Sequence, residues 1–482
     1  MNKIINNVIT IGHLALLILL PISSFLVQIL TNRFGLSELI TLWKEILVFV
    51  VMLCYLWELK DKLKQVFSQY WRLILATILA LGFVCFSSIG VDTRTLILGF
   101  RVELYWVLFL VLSIIYGKVS DFKINFASYF RAILVGFGLI CIPALCSIII
   151  GQDKFLTIVG FDSGWSATGK FALQSPNCHT IDTVNGGCRL NGGFSTPNSF
   201  AGYLLVILPL FALRLINLTK FSKNYFSIIL VAIAMALATT FLILTYSRYA
   251  WIILVLYLGL GICHYGLKNS LWSKLFKFGF WFVATIPLLL VGAMLLIGPY
   301  IDQIAEAEIL PHSIVRSHST AGHYKLAKIA LQIIEKEKPI LKGYGLGQSG
   351  PIAKQEYNQK IEETPIIKNN VKFADDLLLI RAQLAVPENW YLQLILNGGI
   401  IYAILYCFVL FQLLIGLQKG ESWQFAIALS GFGILSGNLY LHIFESPIIV
   451  FYLGILAFVS RSYIAKNTPV IPTITPKKAP QV

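Results

Sequence analysis

Five ionisable residues between positions 189 and 388 carry the side chains best suited to chemistry. Arg189, Arg248 and Arg316 each present a planar guanidinium fork that stays charged and can hold phosphate oxygens two at a time. His323 has the one side chain whose unperturbed pKa, about 6.5, suits proton transfer at neutral pH. Glu388 follows Pro387 at the start of an apolar run, where a helix dipole favours its charged form and makes it a poorer base. Each has a plainer reading. Arg189 sits at an interface, Arg248 snorkels to headgroups from a short turn, and Glu388 stabilises a first helical turn.

Cys178 and Cys188 flank Thr183-Val184-Asn185-Gly186-Gly187, and Asn-Gly is a strong turn signal that can bring two thiols together. A Cys178–Cys188 disulfide is expected in an oxidising compartment, against the alternative of two free thiols. The other six cysteines fall in apolar runs, where Cys behaves as a small buried hydrophobe. With only His179 beside the pair, no metal site is expected. The stretch GLGQSG from Gly345 to Gly350 matches G-x-G-x-x-G but follows a helix, which argues against a dinucleotide site.

The elements that must position these residues are membrane spans. Hydrophobic residues make up 57% of the chain and charged residues 13%, against about 45–50% and about 25% in soluble domains. Apolar runs near 11–30, 41–57, 73–90, 98–116, 132–150, 199–216, 225–245, 250–266, 278–298, 390–415, 423–441 and 446–460 approach the ~20 residues that a crossing helix needs. The expected fold is therefore an all-α polytopic membrane protein of about 12 spans, the last two of which could form one re-entrant hairpin.

The net charge of +15 reflects topology rather than nucleic-acid binding. With both termini cytoplasmic, the cytoplasmic segments hold 19 of the 38 Lys and Arg, whereas the short outer connections hold only Arg33, Arg94 and Arg248. The expected organisation is a membrane domain at 1–299 with spans one to nine and an outer loop at 151–197, followed by a large extracytoplasmic loop at 300–387. Spans ten to twelve follow at 388–464, and 465–482 forms a disordered cytoplasmic tail rich in Pro, Thr and Lys. The large loop mixes 11 basic and 10 acidic residues, so it is neither a basic stripe nor an acidic tail.

Within that loop, Leu326, Ile329, Ala330, Ile333 and Ile334 recur at helical spacing, with Lys325, Lys328, Glu335 and Lys336 elsewhere on the wheel. Ser319 or Thr320 can cap this amphipathic helix and Pro339 closes it. Its apolar face would cover a cavity at the interface or pack on the spans below. Lys44, Glu45, Arg101 and Glu103, near the outer ends of spans two and four, either line an entry for a lipid carrier or form two local ion pairs.

RLNGGFSTPNSFAGYL, leading into span six, and TYSRYAW, between spans seven and eight, together resemble the O-antigen ligase and polymerase superfamily. The similarity continues through HSTAGHYKLAKIALQIIEKEKPILKGYGLG and ends with PENWYLQLILNGGI, in the family's order. The match carries over Arg189, Pro197, Asn198, Arg248, Gly345, Gly347 and Asn389. It departs at two positions: His323 stands where the family usually has an arginine, and Glu388 where it usually has a histidine.

The resemblance implies a C-type glycosyltransferase-like fold in the bacterial cytoplasmic membrane. It further implies metal-independent, cofactor-free transfer of a glycan from an undecaprenyl-pyrophosphate carrier to a glycan, lipid or protein acceptor. On that reading Arg189, Arg248 and Arg316 stabilise the departing pyrophosphate, Asn198 and Asn389 line the substrate site, and His323 is the base with Glu388 as its partner. Glu388 alone is the runner-up for the base. Two other classes remain open. A lipid-linked glycan flippase or permease predicts charges deep in several spans, and a noncatalytic assembly factor would use the outer loop to hold a partner.

Overall fold

The computed structural model describes residues 2–35, 42–160 apart from 121 and 123, 188–266 apart from 222–223, parts of 327–350, 389–417, 422–438 and 446–467. These residues are helical apart from their connections. Helix α1 spans Asn2–Phe34, α2 Trp43–Leu59, α3 Leu63–Ser87, α4 Thr93–Gly99, α5 Tyr105–Val119, α6 Phe126–Ile150 and α7 Gln152–Ile158. After the first loop come α8 Pro197–Phe221, α9 Tyr225–Leu244 and α10 Arg248–Gly266. The last four are α11 Trp390–Gly398, α12 Ile400–Phe411, α13 Ser422–Gly437 and α14 Pro447–Asn467. Side-chain caps start several of them: Asp92 accepts from Thr95 N, Thr196 from Ser199 N, Asn224 from Ser227 N and Asn389 from Leu392 N.

Among the described residues, six helical runs are long and apolar enough to cross a membrane by length and composition, and four shorter apolar helices accompany them. One of the six, Trp43–Ser87, is 45 residues long, or about 67 Å as a straight helix and twice a bilayer core. It is two helices. A tight turn at Lys60–Lys62 reverses the chain. Glu45 and Tyr55 of α2 lie beside Arg101 and Tyr116, so α2 runs parallel to α4–α5. Lys62, at the start of α3, donates instead to Val119 O at the far end of α5, so α3 runs antiparallel to it. The apolar runs expected as spans two and three thus form two separate helices, with a connection far shorter than the runs suggested. The expected span at 278–298 and most of the 300–387 loop lie outside the described residues.

Polytopic packing depends on close backbone approach, because lipid is as apolar as the side chains. Helices α5 and α14 run parallel and meet through glycines: a Cβ on Gly117 would lie 2.6 Å from Phe458 O, and one on Gly454 would lie 2.6 Å from the Phe109 ring. Elsewhere the bundle exposes large apolar side chains, among them Ile46, Phe49 and Leu53 of α2 and Ile229, Leu230 and Ile233 of α9. Exposed apolar area on this scale suits a lipid-facing wall.

The apolar run at 390–415 is not one continuous helix. It breaks at Gly398-Gly399, where Gly399 takes φ +89°, and restarts as α12. A break within a bilayer strands backbone groups that must find partners. The partners come from the end of the large loop: Tyr344 N and Gly345 N donate to Leu396 O and Asn397 O at 2.7 and 2.9 Å, and Ile400 N donates to Pro339 O at 2.9 Å. Just before this segment, residues 327, 330–331 and 333–335 are helical, with Ala327 and Ala330 buried and Glu335 exposed. That pattern agrees with the helix expected to close at Pro339; its expected caps, Ser319 and Thr320, lie outside the described residues.

Candidate functional site

The first polar site forms where the ends of α8, α9 and α10 meet. Leu190 N donates to Leu244 O, pinning the chain before α8 to the end of α9. Thr196 caps α8 and Pro197 opens it, a position where the missing N–H costs little. This places Asn198 in the first turn, facing the three-residue connection Thr245–Ser247 between α9 and α10. Arg189 reaches the same connection, donating from Nε to Thr245 O and from Nη2 to Asn198 Oδ1, both at 2.8 Å.

Asn198 is the hub of this arrangement. Its Oδ1 also accepts from Ser247 Oγ at 3.1 Å, and its backbone carbonyl accepts from Tyr249 OH at 3.0 Å. The connection is tight: Tyr246 takes φ +49°, a left-handed conformation uncommon for a non-glycine residue. Arg248 opens α10 beside this hub and is half-buried. The site therefore presents two guanidinium groups on a rigid frame, one of which, Arg189, is tied into the frame itself. Charged donors fixed in a partly desolvated setting are the arrangement that stabilises an oxyanion.

A second polar site lies within the bundle and has the opposite charge. Residues Phe100–Leu104 between α4 and α5 form a π-turn, a widened turn that often marks functional positions. It carries Glu103, which is 2% exposed. Oε1 of Glu103 accepts from Gln393 Nε2 at 3.2 Å and from Asn397 Nδ2, while the Glu103 carbonyl accepts from Tyr406 OH at 2.6 Å. The hydroxyl of Tyr402 faces the same carboxyl without completing a well-formed hydrogen bond. Asn397 turns its Oδ1 to Ser349 N at 2.9 Å.

Of the residues singled out by the sequence, Arg189 and Asn198 are brought into direct contact, and Arg248 follows Ser247, which bonds the same Asn198. Asn389 belongs to a different wall: it caps α11, and Trp390 beside it donates to Asn438 O at the end of α13. Arg316, His323, Glu388 and Cys178 lie outside the described residues. Cys188 is disulfide-bonded. Gly345 and Gly347 take φ +106° and +75°, so the two carried-over glycines occupy left-handed backbone positions.

The four charges near the ends of spans two and four do not form two local pairs. Glu45 instead bridges helices: its Oε1 accepts from Arg101 Nη2 and Nε at 2.6 and 2.8 Å, with Lys44 Nζ 3.6 Å from Oε2. Glu103 takes no part in that bridge and belongs to the amide cluster.

The buried cluster of Glu103, Gln393, Asn397 and Ser349 escaped sequence reasoning beyond the mention of Glu103. The available signal was the pair of amides four residues apart, Gln393 and Asn397, on one face of an otherwise apolar segment ending in Gly-Gly.

Residues 232–407 match the family model described as O-antigen ligase. This part of the chain is similar to an O-antigen ligase domain. No curated protein matches the chain. The matched region takes in most of α9, the Thr245–Ser247 connection with Arg248, the large loop and both halves of the broken α11–α12 segment. Arg189 and Asn198 precede it, so the first polar site joins that region to the segment before it. The similarity supports a ligase- or polymerase-type function in O-antigen assembly and an enzyme embedded in a membrane.

Proposed function

We propose that the protein is a glycosyltransferase moving a glycan from an undecaprenyl-pyrophosphate carrier to an acceptor hydroxyl at the outer face of the bacterial cytoplasmic membrane. The observation that carries this reading is the rigid frame in which Arg189 and Asn198 bond Thr245 and Ser247 beside Arg248, at one end of the bundle, where the preceding segment meets the region similar to an O-antigen ligase domain. In the reaction the acceptor oxygen attacks the anomeric carbon as the bond to the pyrophosphate oxygen breaks. His323 takes the hydroxyl proton, with Glu388 orienting the imidazole, and the carrier leaves as its pyrophosphate. Arg248 and Arg316 hold the negative charge that develops on that leaving group, and Arg189 adds a fixed positive charge beside them. Asn198 and Asn389 line the substrate site. Attack opposite the leaving group inverts the anomeric centre.

The Arg189 end of the bundle is the extracytoplasmic one in this reading. Support comes from the opposite end, where Lys60, Lys62, Lys64 and Lys118 collect at chain turns, as expected of a cytoplasmic face. Both termini are then cytoplasmic, the 300–387 loop is outside, and a Cys178–Cys188 disulfide staples the loop leading to Arg189. The permease reading expects ionisable groups along a path through several spans. Glu103 is instead enclosed by two amides, and His13 is held between the hydroxyls of Tyr129 and Tyr55 at 2.9 and 2.6 Å, which suits anchoring of helices.

The test is to mix purified protein with a lipid-pyrophosphate glycan and candidate acceptors and identify the product. A new glycosidic bond with release of the lipid pyrophosphate is expected. Recovery of intact donor with every acceptor, from folded protein, would eliminate the enzyme reading.

A further inference from the structure

Residues 345–350, at the end of the described part of the large loop, are held largely among the helices, whereas Leu341, Lys342 and Tyr344 just before them are exposed. Leu346 and Ser349 are buried, and most backbone donors between them and Gly343 are spoken for. Gly343 N and Leu346 N bond the hydroxyls of Ser87 and Ser88 at the end of α3, Tyr344 N and Gly345 N bond the broken end of α11, and Ser349 N bonds Asn397 Oδ1. Glycine makes the seat possible from both sides. A Cβ on Gly99 would lie 2.7 Å from Gly347 N, and a Cβ on Gly347 would lie 2.8 Å from Thr95 O.

Asn397 holds this seat in one amide orientation, with its oxygen accepting from Ser349 N and its nitrogen donating to Glu103 Oε1 and, at 3.4 Å, to Ser349 O. Glu103 fixes that orientation through Oε1, which accepts from the Nδ2 of Asn397 and the Nε2 of Gln393. The π-turn supplies the register that brings Glu103 to this point, and Tyr406 OH locks it through the Glu103 carbonyl. We propose that Glu103 is a positioning residue: through Asn397 it clamps the glycine-rich segment 343–350 into the membrane domain. The clamp also sets the start of the chain that returns at Asn389, the cap of the same helix that carries Gln393 and Asn397.

The consequence for catalysis rests on the transferase reading above; the consequence for the clamp does not. In hydrogen–deuterium exchange of the purified full-length protein, amides of 343–350 should exchange slowly. In Glu103→Gln, which keeps the shape but loses the charge, they should exchange about tenfold faster, the scale of one charge-assisted hydrogen bond. Peptides from α8 to α10 should stay unchanged. Asn397→Ala, which removes the link itself, should reproduce the effect and serves if Glu103→Gln folds poorly. In glycan transfer, Glu103→Gln should lower kcat several-fold while leaving the KM for the lipid-linked donor unchanged. Unchanged exchange at 343–350 in both variants overturns the clamp. A raised donor KM with intact kcat overturns the positioning role in favour of donor binding. If wild-type protein transfers nothing, the transferase reading fails and the exchange result alone decides the clamp.

Discussion

The two polar sites differ in charge, depth and the distance over which sequence assembles them. The Arg189–Asn198–Ser247–Arg248 site is positive, half-exposed at one end of the bundle and built from segments within about sixty residues of one another, whereas the Glu103 site is negative and enclosed. The second draws on residues 103, 349, 393 and 397, the most distant of which are separated by 294 positions. In the first site Arg189 is bonded to Thr245 and Asn198, and Arg248 is half-buried beside them. A buried carboxylate whose Oε1 serves two amides is occupied by the protein's own chain. On the proposed reading, the first site performs the chemistry and the second sets placement.

The strongest way to break this division is through His323 and Glu388, which the account attaches to the chemistry of the first site. His323→Ala and Glu388→Gln should each lower transfer by about 10²–10⁴-fold, the scale of a lost general base, and the double variant should be little worse than the poorer single one. Turnover by purified, correctly inserted protein measures this. Full activity of His323→Ala beside inactive Glu388→Gln would move the base to Glu388, and activity of both would remove the pair from catalysis.

A smaller effect is expected at the Cys178–Cys188 staple, which would restrain the loop feeding Arg189. Closing so short a loop contributes about 2–3 kcal/mol in the chain-entropy model. Mass spectrometry of the nonreduced protein should find the linked peptide, and Cys178→Ser should lower thermal stability. Alkylation of Cys178 as a free thiol in unreduced protein would contradict the pairing. The smallest effect sharpens the second site. Gly347→Ala forces a side chain onto a left-handed position against Thr95 and should cost about 1–3 kcal/mol. Gly138→Ala, on α6 with open space around it, should be neutral or slightly stabilising. Melting temperatures in one detergent compare them, and equal losses at both glycines would remove the argument for a tightly fitted seat.

Much of the first site was legible because its parts are local signals. Ser195 or Thr196 before Pro197 announces a capped helix start, TYSRYAW a tight turn between two apolar runs, and the structure makes Thr196 the cap and joins the two segments through Asn198. The second site was not legible, because apolar periodicity treats 390–415 as one span and says nothing of a break whose carbonyls are satisfied by residues some fifty positions earlier. Glycines 345 and 347 were visible as conspicuous residues, but the backbone approach that requires them depends on Gly99 and Thr95 of another helix. The same limit applies to Lys44, Glu45, Arg101 and Glu103. Proximity in sequence suggested neighbouring pairs, while helix packing set Arg101 against Glu45 and turned Glu103 inward.

The central claim is that the first site performs the chemistry on the pyrophosphate, and transfer by Arg248→Lys tests it most directly. Lysine preserves the charge and loses the fork, so glycan transfer from a lipid pyrophosphate should fall by about 10²–10³-fold, as for loss of one oxyanion donor, with membrane insertion and melting temperature unchanged. Wild-type turnover by folded Arg248→Lys and Arg248→Ala proteins, under conditions where the unmodified protein forms product, would contradict the account.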